Sequence, residues 1–278
     1  MTNKTVLITG CSSGFGRLAV RTFQQVGWNV IATMRSPEKE SELTKFENVL
    51  VTALDVTKPD SIAQAIDQGF VRFGAIDVLV NNAGYGGHAL FEQFEEAQID
   101  AMFNTNVYGP MRLTKALLPH FRQQGGGRII NVTSMAGEIG LPFATTYSAS
   151  KFAVQGWSEG LAIELAPFNI KVNTIAPGAF GTNFNAATDN AFSAGDQQVQ
   201  DQAQAMAAHI GGLAEQMLRY GGEDADPQQV ADLIYRCATE DMPIHNAVGA
   251  DAQMLLEMKL GQPRDEFLQN MQQMLLPQ

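Results

Sequence analysis

Residues 5–16 run Thr5-Val-Leu-Ile-Thr9-Gly10-Cys11-Ser12-Ser13-Gly14-Phe15-Gly16. The consecutive apolar positions Val6-Leu7-Ile8 suit a strand covered on both faces. Glycines follow at once, and a helical pattern opens behind them over 14–26. Glycine at a first strand-to-helix turn lets the backbone close on a phosphate, which then sits at the positive end of the helix. The spacing is Gly-x-x-x-Gly-x-Gly rather than Gly-x-Gly-x-x-Gly. The plainer alternative is a tight turn that uses glycine only because glycine tolerates positive φ.

The same alternation continues along the chain. Short β-rich runs at Asn29–Thr33, Val49–Ala53, Asp77–Asn81, Arg128–Val132 and Lys171–Ile175 alternate with helical patterns at 59–73, 92–123 and 145–167. A repeated β-α order implies an α/β fold: a Rossmann-type, doubly wound parallel sheet with helices on both faces, in a single domain over 1–278. Ligands in such sheets gather at the carboxyl ends of the strands. No repeat or linker interrupts the chain. The Gln- and Ala-rich stretch 196–216 reads as a helix, with Val199, Ala203, Met206 and Ile210 on one stripe. A further helix over 227–239 starts with Asp226 as N-cap and Pro227 behind it. The last ~25 residues read as helical.

Composition narrows the function. The chain has 278 residues, 45% hydrophobic and 17% charged, which is long enough for a substantial core and not a disordered composition. A net charge of −11 and a pI near 4.8 argue against a nucleic-acid partner, which calls for a basic face. Two cysteines, Cys11 and Cys237, make no disulfide framework and fit a reducing compartment. No apolar run approaches the ~18–20 residues of a membrane span, and the start shows no secretory pattern. A cytoplasmic location without membrane attachment is the expectation. His88, His120, His209 and His245 lack ligand spacing, so no metal site is expected. His88 follows Gly86-Gly87 in the loop after the fourth strand, within reach of a substrate cleft.

Two further features carry chemistry. The second strand ends Ile31-Ala32-Thr33-Met34-Arg35. Where a NAD site usually carries an acid for the adenine ribose, this chain has Met34 and then a guanidinium, which suits a ribose 2′-phosphate. Ser12 and Ser13 add hydroxyls from the glycine loop. Tyr147 and Lys151 lie four apart at a helix start and so share a face. A lysine cation stabilises a phenolate and lowers the tyrosine pKa, which would let Tyr147 exchange a proton with an alcohol or carbonyl oxygen. Ser134 is placed to polarise the same oxygen.

In combination these residues resemble the short-chain dehydrogenase/reductase family over nearly the whole chain, most firmly over 4–182. Thr9-Gly10-x-x-x-Gly14-x-Gly16, with Ser12, Ser13 and Phe15 inside it, is similar to the family's cofactor loop. Asn81-Asn82-Ala83-Gly84 is similar to its strand-four motif, and Asp55-Val56 to the pair beside the adenine ring. Asn106 resembles the catalytic asparagine that holds a relay water; Ser134, Tyr147 and Lys151 resemble the other catalytic members. Pro177-Gly178 and Thr182 resemble the segment at the nicotinamide end. Gly140-Leu-Pro-Phe143 and Val248-Gly-Ala-Asp-Ala252 are similar to the 17β-hydroxysteroid dehydrogenase-like branch.

The resemblance implies a ketone or secondary alcohol as substrate and a homodimer or homotetramer. With Arg35 it gives the expectation of an NADP(H)-dependent ketoreductase. The alternatives are an NAD-dependent alcohol dehydrogenase of the same fold and a nucleotide-sensing regulator without turnover. Residues 180–222, with Phe180, Phe184, Phe192, Met206 and Met217 and glycines at 181, 195, 211 and 212, are expected to form a substrate lid.

Overall fold

A computed structural model of the chain describes residues 3–182, 184, 189–190, 194–220 and 226–276, with 189–190 and 214–220 described as backbone alone. In chain order its elements are β1 (Thr5–Thr9), α1 (Gly14–Gln25), β2 (Asn29–Met34), β3 (Val49–Ala53), α2 (Pro59–Phe73), β4 (Val78–Asn81), β5 (Gly87–His88), α3 (Glu96–Phe103), a π-helical turn (Asn104–Tyr108), α4 (Gly109–Gln123), β6 (Gly127–Val132), α5 (Thr145–Leu165), β7 (Ile170–Pro177), β8 (Asp189–Asn190), α6 (Gln197–Tyr220), α7 (Gln228–Thr239), β9 (His245–Val248), α8 (Ala250–Leu260) and α9 (Arg264–Leu275).

The main sheet has seven strands in the order β3-β2-β1-β4-β6-β7-β9, all paired in parallel. Strand alternation splits the core in two. Val6 and Ile8 pack with Ala19, Val20 and Phe23 of α1 and with Val230, Ile234 and Cys237 of α7. Leu7, on the other face, packs with Ile62 and Ile66 of α2, Leu113, Leu117 and Phe121 of α4, and Leu161 and Leu165 of α5. The doubly wound arrangement expected from the sequence is present. Its strand order turns back between β1 and β4, so a crevice opens at their carboxyl ends.

The structure departs from expectation at several places. The helix expected over 92–123 is broken: α3 and α4 are joined by the π turn that carries Asn106. Helix α3 buries only Met102, so the sequence gives no apolar stripe whose break would mark the turn. A seventh strand, β9, went unread because His245-Asn-Ala-Val248 is short and partly polar. The C-terminal stretch is two helices, parted at Gly261–Pro263. Asp226 caps α7, its Oδ1 accepting the Gln228 N–H at 2.9 Å. Helix α6 runs unbroken through Gly211-Gly212.

Candidate active site

The glycine turn is locked to the start of the loop after β4. Thr9 Oγ1 accepts the backbone N–H of Asn82 at 2.9 Å and of Ala83 at 3.0 Å. The Asn82 amide returns the contact, donating to the carbonyls of Thr9 at 2.8 Å and Gly10 at 3.2 Å. Gly10 has φ +73°, and a Cβ there would stand 2.9 Å from Ala83 Cα. At Gly16 a Cβ would stand 2.4 Å from the Gly10 carbonyl oxygen. The two strand ends therefore approach backbone to backbone, which only glycine permits.

Helix α1 begins just behind this turn with no side-chain cap and no acid in its first turn. Gly14 has φ +55°, and a Cβ there would meet only Thr182, at 3.8 Å. Uncapped N–H groups at a glycine turn fit a pyrophosphate. Cys11, inside the loop, is buried, and its thiol donates to the Ile8 carbonyl. Burial pushes that thiol up to about 12.

At the end of β2, Met34 is buried and Arg35 exposed. Arg35 makes no hydrogen bond or ion pair among the described residues. The neighbouring cations are taken: Arg17 of α1 pairs with Glu40 and Glu42, and Arg21 with Glu42. Glu40 also accepts the backbone N–H groups of Glu42 and Leu43, and its bond to Arg17 holds its carboxyl down at about 2. The sequence reading missed this clamp, because 23 residues separate Arg17 from Glu40. Asp55 Oδ1 accepts from Thr57 N at 3.0 Å and Thr57 Oγ1 at 2.7 Å. Val56 is buried against Gly109.

Ser134, Tyr147 and Lys151 converge beyond β6 and along α5. Ser134 faces the Tyr147 hydroxyl closely enough to pull its pKa down and accepts the Ala136 N–H at 3.1 Å. Lys151 is 5% exposed, and its ammonium donates to the Val132 carbonyl at 3.0 Å. It lies 5.6 Å from the Tyr147 ring centre. Burial pushes the Tyr147 phenol up to about 12, against an opposing pull from Ser134. Burial also pushes Lys151 down to about 8. Burial thus sets the direction for both groups, and the Lys151 ammonium is turned to the Val132 carbonyl rather than to the phenol oxygen.

Asn106 sits in the π turn. Its amide donates to the Tyr85 carbonyl at 2.9 Å and Ser150 Oγ at 3.1 Å, and its Oδ1 accepts the Tyr85 N–H at 3.1 Å. Gly84 lies against it, 3.1 Å from Oδ1 and 3.5 Å from Lys151 Nζ at the Cβ position. Phe184 covers Tyr147, ring centres 5.7 Å apart. Phe143, held at φ +66°, packs with Ala203 and Met206 of α6 and stacks on His88. Phe192 lies outside the described residues, as does the side chain of Met217. No group of three or more His, Cys, Asp or Glu that could hold a metal occurs among the described residues.

A parallel sheet with an anion-binding turn at its switch point, beside a buried tyrosine and lysine, is the architecture of a nicotinamide-dependent oxidoreductase acting on carbonyls and alcohols. The chain belongs to the short chain dehydrogenase family, whose model matches residues 4–193. It is 38% identical over 249 residues to an uncharacterized oxidoreductase, YusZ, of Bacillus subtilis, covering 86% of each chain. It is 41% identical over 190 residues to the 3-ketodihydrosphingosine reductase of Bacteroides thetaiotaomicron, covering 68% of each. A short-chain dehydrogenase structure from Streptomyces avermitilis superposes with a TM-score of 0.82 at 35% identity, over 97% of this chain and 96% of that one. Two further solved structures carry cofactor. ElxO with NADP bound has TM-score 0.74 and 28% identity, over 91% of this chain and 99% of its own. A Brucella melitensis 3-ketoacyl-(acyl-carrier-protein) reductase complexed with NADH has TM-score 0.72 and 25% identity, over 88% and 96%. Among the described residues no helix is long and apolar enough to cross a membrane.

Proposed function

We propose that the protein is an NADP-preferring reductase of apolar ketones. The observation that carries the reading is Tyr147 itself: Ser134 faces its hydroxyl, burial keeps it protonated, and the buried Lys151 stands 5.6 Å from its ring centre. When bound, the nicotinamide supplies the hydride. Tyr147 then gives its proton to the carbonyl oxygen as charge grows there, and Ser134 orients that oxygen. Lys151 steadies the phenolate left behind and holds the ribose. Asn106 has its side chain committed to Tyr85 and Ser150, so its main chain is what remains to hold a relay water.

The pyrophosphate is held by the first turn of α1 with Gly10, Ser12, Ser13, Gly14, Phe15 and Gly16. Asp55 and Val56 flank the adenine. Asn82, Ala83 and Gly84 line the middle, and Pro177, Gly178 and Thr182 the nicotinamide end. The unpaired Arg35 reads the 2′-phosphate. The described parts of 180–222 contribute the lid, the remainder of that stretch lying outside the described residues. Phe184 over Tyr147, and Phe143 against Met206, give it an apolar wall. The π turn exposes Tyr108, and α5 exposes Phe152 and Ile163, surfaces suited to a homodimer or homotetramer.

The test is consumption of NADPH and NADH with a panel of ketones of rising chain length. Turnover with NADPH should exceed that with NADH, and KM should fall as the apolar chain lengthens. Turnover on NADH alone would favour the NAD-dependent dehydrogenase. Tight cofactor binding with no turnover on any ketone or alcohol would favour the regulator.

A further inference from the structure

We propose that Asp251 is a positioning residue that fixes the Pro177–Thr182 segment for the nicotinamide end of the cofactor; this rests on the cofactor placement argued above. Asp251 stands in the first turn of α8, far from the catalytic residues in sequence. Its Oδ2 accepts the Ala179 N–H at 2.7 Å, across 72 residues. Two glycines stand at this contact, Gly178 and Gly249, and the carboxylate occupies the space a Cβ would need at each. A Cβ at Gly178 would stand 2.0 Å from Asp251 Oδ1. At Gly249, which has φ +106°, a Cβ would stand 2.7 Å from the same oxygen and 3.3 Å from the Phe180 ring.

The segment so held bridges the two sides of the crevice. On one side, Gly178 donates to the Val248 carbonyl at 2.9 Å. On the other, Phe180 meets Phe15 of the glycine turn edge-to-face, ring centres 5.7 Å apart, and Thr182 overlies Gly14. Asp251 is therefore the side-chain anchor of a strap that leads from the end of β7 to the glycine turn. Among the described residues no cation pairs with its carboxylate. An acid in a first helical turn is favoured by the helix dipole wherever it stands, but that role needs neither the bond to Ala179 nor the pair of glycines.

The experiment is calorimetric titration of wild type, Asp251→Ala and Asp251→Asn with NADPH, NADH and adenosine 2′,5′-bisphosphate, which fills only the adenine end. Loss of one hydrogen bond to a charged group should weaken NADPH about tenfold in Asp251→Ala, leave the bisphosphate within about twofold, and be recovered to within about threefold by the accepting amide of Asp251→Asn. NADPH binding unchanged in Asp251→Ala would overturn the proposal. So would an equal loss of NADPH and bisphosphate, which would mark a general structural role. Failure of the wild type to bind either dinucleotide would sink the cofactor placement itself, and the proposal with it. If the alanine variant does not fold, Asp251→Glu, whose carboxylate is one methylene further out toward Gly178, carries the same expectation.

Discussion

The two ends of the crevice are built on opposite principles. At the Tyr147 end the ionisable groups are desolvated: Lys151 is 5% exposed, and both it and Tyr147 are displaced from their ordinary ionisation by burial. At the Arg35 end Arg35 itself faces water. Beside it a partly buried clamp joins Arg17 and Arg21 to Glu40 and Glu42, and among the described residues Arg35 forms no ion pair. Charge moved in a dry site meets little screening, whereas charge read at a wet surface is screened. The first end is thus suited to accelerating a proton transfer, and the second to choosing between ligands by a modest margin.

The largest effect that would break this contrast is at Tyr147. Tyr147→Phe keeps the ring against Phe184 and removes only the transferable proton. Turnover should fall at least ~100-fold, the usual size of a general-acid contribution, with cofactor affinity retained. Single-turnover kinetics on a confirmed ketone reads this directly. Near-normal rates would mean that the proton comes from elsewhere and that burial at this end serves packing alone.

A smaller effect concerns what the buried ammonium costs the fold. Lys151 falls to about 8 in the folded protein from an ordinary 10.5. The unfolded chain therefore binds more protons between these values, and the stability of the cofactor-free protein should rise with pH across that window. Below about 8 the destabilisation is present in full. Lys151→Met should accordingly raise stability at pH 7 by about 1–2 kcal/mol, less than the full shift implies because the Val132 carbonyl loses its donor. Between pH 8 and 10 the advantage should shrink. Thermal melts at several pH values check this, and activity should be lost in the same variant. A variant less stable than wild type at pH 7 would show that the Val132 bond outweighs desolvation.

These contrasts also separate what the chain displays in sequence from what it hides. The β1 turn was legible because Val6-Leu7-Ile8 and the glycines lie within a dozen residues and answer to one local geometry. Tyr147 and Lys151 were legible because four residues make one helical turn. The π turn at Asn106 was not, since α3 before it buries only Met102 and shows no stripe to break. Strand β9 pairs only at the sheet edge, so four residues with a histidine and an asparagine suffice there. The Arg17–Glu40 clamp and the Asp251–Ala179 bond join residues far apart, and no spacing rule announces either. Gly249-Ala-Asp251 stood out only as a branch resemblance, without a reason. The Tyr147 phenol shows the same limit: the neighbouring lysine was visible in the sequence, but the burial that raises the phenol is a property of the packed core.

The smallest expected effect is at Arg35, and it sharpens the comparison most. Met34 turns into the core, so the end of β2 itself carries no carboxylate to repel a 2′-phosphate, and Arg35 forms no ion pair among the described residues. Because Arg35 is exposed, a pair with that phosphate is screened and must be ordered from a mobile side chain. Arg35→Ala should therefore weaken NADPH by only about 3- to 10-fold and leave NADH unchanged, the range of a single solvent-facing charge-assisted contact. Raising the salt concentration should shrink the wild-type preference toward that of the variant. The neighbouring clamp gives a control. Glu40→Gln frees part of the Arg17 charge close to the glycine loop, so NADPH affinity should hold or rise while Arg35→Ala lowers it. Fluorescence titration of the three proteins with both cofactors, at low and at physiological salt, distinguishes the outcomes. An equal loss of NADPH and NADH in Arg35→Ala would mean that this guanidinium does not read the 2′-phosphate, and the water-facing end would then have no part in cofactor choice.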